Sequence, residues 1–178
     1  MKRVLSISLL LLFVAACSQP VRQTTHENKN PKLVARIERI NQIVSWSFSG
    51  RIGVKHQNDG GSFRVKWSKA SDGHFRAEFV APMGQGWLKV SGNDESVAIE
   101  TSENQRVEGK TIEAVAEKVT GWQLPLGSLQ YWLFGVPVSG QDYRAQVDAS
   151  GRIKQLKQAG WVIEYAQYGM QDGYQVPA

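Results

Sequence analysis

The sequence predicts a mainly β protein: an unclosed antiparallel half-barrel with two to three short α-helices as its lid. Three observations predict it. From Trp46 to Tyr165 most segments alternate apolar with polar or small residues, the period of strands with one buried face. Clusters of Asn, Asp, Gly and Ser separate these segments, and such residues close tight hairpins, so the connections are antiparallel. Helix-period apolar stripes occur at only three places, and one-sided strands need covering material of that kind over their apolar face.

The first stripe is Leu33, Ile37, Ile40 and Val44, at steps of four, three and four, with Pro31 suited to a first helical turn. Strands follow. Trp46, Phe48, Ile52 and Val54 alternate in the first, Phe63, Val65 and Trp67 in the second, and Phe75, Ala77 and Phe79 in the third. Asn58-Asp59-Gly60-Gly61 and Ser71-Asp72-Gly73 are the expected turns between them. Trp87 to Ser91 and Val97 to Thr101 continue the meander around a turn at Gly92-Asn93-Asp94. Thr111 then caps a helix whose Ile112, Val115, Ala116 and Val119 share a face and which Gly121 closes. A shorter helix carries Leu126, Leu129, Trp132 and Leu133 and ends at Gly135 and Pro137. Strands resume at Tyr143-Ala145-Val147, turn at Ser150-Gly151, return through Ile153 to Leu156, and continue at Trp161-Ile163-Tyr165.

The amino-terminal end has a different character. Met1-Lys2-Arg3 is a short basic start, Val4 to Ala16 is uncharged and mostly apolar, and small residues precede Cys17, the single cysteine of the chain. These are the three regions of a secretory signal, too short to span a bilayer. Val14-Ala15-Ala16-Cys17 resembles the bacterial lipobox, with Val14 where leucine is commoner. The resemblance implies that residues 1–16 are removed and that Cys17 is acylated, and several acyl chains at about 0.8 kcal/mol per buried CH₂ make such an anchor permanent. Ser18 follows, where bacterial lipoproteins retained in the inner membrane carry aspartate, so the outer membrane is expected. Residues 17–30 are polar and without apolar period, a flexible tether, and 31–178 are the folded domain.

A chain of 178 residues with 42% hydrophobic and 21% charged residues supports one domain with a core. Its formal charge of +5 includes Lys2 and Arg3, and it has no Lys/Arg-dense stretch, zinc-ligand spacing or phosphate-cradling glycine motif, so neither nucleic acid nor nucleotide is an expected partner. Enzyme readings lack apparatus. The histidines are His26 in the tether and His56 and His74 beside expected turns, and there is no Gly-x-Ser-x-Gly or His-Glu-x-x-His. No catalytic residue, metal or cofactor is expected.

Three stretches, SFSGRIGVK, FRAEFVAPMGQGWLKV and EKVTGWQLPLGSLQYWLFGVP, together resemble the LolB family in order and spacing, the last being the most specific. The resemblance implies an unclosed antiparallel β-barrel with its helical lid over an apolar cavity. On that reading the protein is an outer-membrane, periplasm-facing monomer. It accepts the acyl chains of cargo lipoproteins from the periplasmic carrier LolA and inserts the cargo into outer-membrane lipid. Trp46, Phe48, Trp67, Phe75, Phe79, Trp132 and Trp161 are the candidate acyl-chain cavity on this resemblance, although the alternation by itself favours a packed core. Ala81 to Gly86 reads as an ordinary connection; the family resemblance makes Pro82, Met83 and Gly84 a membrane-insertion loop with Met83 at its tip. The alternative is a lipid-anchored binding protein for another apolar ligand. The resemblance also implies two further strands beyond the segment equivalent to Tyr165, where this chain stops at Pro177-Ala178, so a sheet short of its last hairpin is expected.

Overall fold

The computed structural model describes residues 30–56, 59–121 and 123–178. The expected signal segment, Cys17 and the tether up to residue 29 lie outside the described residues. Helix α1 (Pro31–Asn41) leads into β1 (Trp46–His56), β2 (Asp59–Lys69), β3 (Phe75–Val80), β4 (Trp87–Gly92), β5 (Val97–Thr101) and β6 (Arg106–Gly109). Helices α2 (Ile112–Thr120) and α3 (Leu126–Trp132) follow, then β7 (Tyr143–Val147), β8 (Ile153–Gln158), β9 (Trp161–Glu164), β10 (Tyr168–Gln171) and β11 (Tyr174–Pro177). Strands β1 to β6 form one antiparallel meander in sequence order, β7 to β9 a second sheet and β10–β11 a hairpin, so the β-structure stays open.

Helix α1 starts where Asn30 accepts hydrogen bonds from the N–H groups of Lys32 and Leu33, at 3.0 and 3.3 Å. Leu33 and Ile40 are buried. The helix is shorter than the apolar stripe suggests: the Ile43 N–H closes on the Ile40 carbonyl and the chain turns toward β1, leaving Val44 exposed.

Pairing in the large sheet sets which residues share a face. Phe48, Trp67, Ala77, Val90, Ile99 and Val107 lie directly across from one another, as do Gly50, Val65, Phe79 and Leu88. These rungs line the inner face. The alternate rung Ser49, Lys66, Glu78, Lys89, Glu100 and Arg106 changes charge sign from strand to strand on the outer face, where Arg106 pairs with both Glu100 and Glu108.

Two local expectations need correction. Gly60 and Gly61 are not turn residues but lie in β2 opposite Lys55 and Val54, and the connection falls at residues 57 and 58, outside the described set. A side chain on Gly60 would meet the Val54 carbonyl oxygen at 2.7 Å, so glycine serves close strand approach there. Beyond Tyr165 the chain does form a pair of strands, because Asp172 and Gly173 at φ 48° and 78° make a two-residue hairpin turn that needs little chain. Strand β6 has no counterpart in the sequence reading, since Val107 is the one apolar residue of its four and leaves no alternation to read.

The helices follow their sequence signals. Thr111 Oγ1 accepts the Ala114 N–H at 3.3 Å, and Gly121 at φ 71° ends α2 in the left-handed region. Helix α3 has no capping side chain of its own, and Glu113 of α2 accepts the Gly127 N–H at 3.0 Å, joining the two lid helices. Helix α2 packs on β5, β6 and α3. Apolar side chains form two clusters: one between the six-stranded sheet and α2, the other between the three-stranded sheet, α1 and α3, with Leu129 packed against both.

Candidate functional site

The inner face of the large sheet is graded from closed to open. Val65, Val90, Ile99, Val115 and Ala116, members of the cluster between the large sheet and α2, have 0–1% of their surface exposed. Trp46, Phe48, Ile52 and Phe63 of β1 and β2 pack against the same cluster but are only partly buried. So are Phe75, Leu88, Leu124, Leu129 and Leu133. Helix α2 covers the β5–β6 side, and Trp46, Phe48, Ile52, Phe63, Phe75 and Leu88 stay partly exposed around the closed Val65, Trp67 and Phe79.

Aromatic rings dominate this strip. The Trp67 ring centroid lies 5.9 Å from that of Trp46, 6.0 Å from Phe79 and 6.4 Å from Phe75, and Trp46 meets Phe134, just past α3, edge to face at 5.2 Å. Five of the seven expected cavity residues, Trp46, Phe48, Trp67, Phe75 and Phe79, are therefore brought together. Trp132 and Trp161 are placed in the other cluster. Trp132 has a defined structural partner: its indole N–H donates to Gln158 Oε1 at 3.0 Å, and that oxygen also accepts the Val138 N–H at 2.9 Å. Gln158 Nε2 donates to the Val138 carbonyl at 3.0 Å, so this buried amide fastens the segment after α3 to β8. Ile52, Phe63, Leu88 and Leu133 belong to the strip although sequence reasoning assigned them only to strands and helices; their place in the alternation was the available signal.

The loop between β3 and β4 is a single 3-10 turn, Pro82–Gly84, closed by Ala81 N–H to the Gly86 carbonyl at 2.9 Å and Gln85 N–H to the Pro82 carbonyl at 3.2 Å. Met83 sits at φ 53°, a left-handed conformation that costs a non-glycine residue about 1–2 kcal/mol, and its side chain is 92% exposed. Gly84 follows at φ 72°. The turn thus spends backbone energy to hold an apolar side chain in water, where it contributes nothing to the core.

Polar groups elsewhere are arranged structurally. His74 Nδ1 meets Asp72 Oδ2 at 3.2 Å and the His74 backbone N–H donates to Asp72 Oδ1 at 3.0 Å, both side chains exposed in the turn after β2. The His74 N–H holds the Asp72 carboxyl below the usual carboxylate range. A concavity of about 560 Å³ is lined by Lys66, Glu78, Lys89 and Glu100 together with Phe48, Trp67, Ala77 and Val90. Among the described residues no group of His, Cys, Asp and Glu is spaced to hold a metal ion, and no helix is long and apolar enough to cross a membrane.

An open antiparallel sheet with a helical cover and a half-covered aromatic inner face defines the class: a β half-barrel with an apolar interior. Within that class the chain belongs to the LolB family. The family model described as "Outer membrane lipoprotein LolB" matches residues 44–178. The chain is similar to the outer-membrane lipoprotein LolB of Pseudomonas fluorescens (strain Pf0-1), 28% identical over 178 residues, 99% of this chain and 86% of that protein. It is 30% identical over 140 residues to the protein of the same name from Pseudomonas aeruginosa (strain LESB58), covering 79% of this chain and 68% of the relative. That from Stutzerimonas stutzeri (strain A1501) is 32% identical over 135 residues, 76% and 65%.

Proposed function

We propose that the protein is an outer-membrane receptor and insertase for lipoproteins, taking acylated cargo from the periplasmic carrier LolA and passing it into the outer membrane without nucleotide hydrolysis. The observation that carries this reading is the pairing, in a chain of the LolB family, of a half-covered aromatic strip with an exposed, strained Met83. Residues 1–16 are a removed signal, Cys17 bears the lipid and residues 17–30 tether the domain, so the protein faces the periplasm from its anchor. Cargo acyl chains lie along Trp46, Phe48, Trp67, Phe75 and Phe79, entering where Trp46, Phe48 and Phe75 remain partly exposed.

Energetics fix the kind of mechanism. A sixteen-carbon chain loses about 12 kcal/mol on entering water, which slows free escape by roughly nine powers of ten. Cargo therefore passes by contact from carrier to receptor and from receptor to lipid, and direction comes from rising affinity along that path. Met83, with Pro82 and Gly84 shaping its turn, is the element that enters the bilayer.

The test follows one labelled lipoprotein from carrier to receptor to vesicle, with wild-type and Met83→Glu proteins in parallel. A charge at an exposed tip leaves the fold within about 0.5 kcal/mol of wild type. Uptake from the carrier persists, delivery to vesicles falls sharply and the receptor accumulates loaded. Equal delivery by the two proteins would remove Met83 from the mechanism, and a joint fall of uptake and delivery with the fold intact would assign the loop to carrier docking.

A further inference from the structure

Trp67 carries a polar atom that its surroundings do not use. The side chain is 3% exposed, and its indole Nε1 has no hydrogen-bond partner among the described residues. Its neighbours are the rings of Trp46, Phe75 and Phe79, and Phe48 lies directly across on β1. Buried donors are nearly always paired, because an unmet N–H forfeits its bond to water and gains nothing in return. Trp132, buried to the same degree in the other cluster, shows the ordinary solution, with Gln158 as acceptor. A wall required only to be apolar would carry phenylalanine at position 67 and avoid the loss.

We infer that the indole N–H of Trp67 is the hydrogen-bond donor for the carbonyl oxygen of an ester- or amide-linked fatty acyl group lying in the aromatic strip. This inference deepens the acyl-binding reading above and rests on it. Hydrocarbon contacts are non-directional, so aromatic rings alone hold a chain without fixing how deep it sits or which end leads. The carbonyl is the one acceptor at a defined end of an acyl chain. A single donor in the wall sets the register of the chain, keeps the glyceryl end at a constant place and favours acyl over alkyl chains. Trp67 is suited to that duty because an indole donates only, carries no charge and leaves the wall apolar when the site is empty.

The experiment compares a fluorescent diacylglyceryl lipopeptide with its dialkyl-ether analogue, which has the same chain lengths and no ester carbonyls. Binding is measured to the full-length protein in one fixed detergent concentration, with wild type and Trp67→Phe in parallel. Wild type should hold the ester form about tenfold more tightly than the ether, and Trp67→Phe should lose about tenfold for the ester and little for the ether. The wild-type comparison needs no folded variant, and the ¹⁵N–¹H resonance of the Trp67 indole should shift downfield with the ester ligand only. Equal wild-type affinity for ester and ether would overturn the donor role while leaving acyl binding standing. Equal weakening of both ligands in Trp67→Phe would overturn it in favour of packing alone. Failure of wild type to bind either lipopeptide would overturn the acyl-binding reading and this inference together.

Discussion

Single side chains divide here between those that hold the fold and those held ready by it, and two buried tryptophans, Trp132 and Trp67, illustrate both. Gln158 satisfies the Trp132 indole and both backbone groups of Val138 while 3% exposed. Gln158→Leu should destabilise the domain by about 2–4 kcal/mol, since it strands buried donors that each cost about 1–3 kcal/mol. Urea unfolding measures this, and a change under 1 kcal/mol would mean that water replaces the amide. Phe79 belongs to the strip, is 8% exposed and faces Trp67 at 6.0 Å. Phe79→Glu places a carboxyl in apolar surroundings, which costs several kcal/mol or forces the group to stay protonated. Acyl uptake should fall, with circular dichroism separating a damaged site from a lost fold. A folded variant with wild-type uptake would exclude Phe79 from the site. Residue identities of this kind were partly legible in advance. The alternation of Phe48, Trp67 and Phe79 placed them on one face, but nothing in sequence spacing told Trp67, with its idle N–H, from Trp132, whose N–H is bound by a residue 26 positions away.

At the level of elements, the lid depends on its ends. Helix α2 starts at a Thr111 cap and stops at Gly121 in a left-handed conformation. Thr111→Ala should cost about 1 kcal/mol, and Gly121→Ala about 1–2 kcal/mol because alanine resists that backbone geometry. Both are read as shifts of the urea midpoint; unchanged midpoints would mean that tertiary packing alone holds the helix. These ends, the strand faces and the turn at Ser71-Asp72-Gly73 were written in local chemistry and so were readable. Elements whose existence depends on a partner were not. Strand β6 forms because β5 offers it an edge, and the β10–β11 hairpin is held to α1 by contacts that no local pattern announces. Arg39 stacks over Tyr174 at 4.7 Å and donates to the Gly173 carbonyl at 2.9 Å, and Arg36 lies over Tyr168 at 5.2 Å.

Across the whole molecule, the same contacts make the two ends of the domain one structure and give it a pH signature. Burial pushes the Tyr165 hydroxyl far above its ordinary value and Tyr168 up to about 12, while the two hydroxyls donate to the Trp132 and Ile153 carbonyls at 2.9 and 2.8 Å. Each phenol binds its proton more tightly folded than unfolded. Their contribution to stability is therefore complete below about pH 10, the unfolded value, and is lost as pH rises through the folded value. Urea midpoints should stay level on this account up to about pH 10 and fall toward pH 12, with less of a fall in Tyr165→Phe. A drop of equal size in that variant would mean that other groups govern alkaline unfolding. The central claim, that this half-barrel accepts lipoprotein acyl chains from a carrier, is tested most directly by native mass spectrometry of the full-length protein mixed with LolA loaded with acylated cargo. A new species of receptor plus one intact lipoprotein should appear, with a matching loss of loaded carrier. A receptor that leaves the cargo on its carrier and is found with a co-purifying small apolar ligand instead would contradict it.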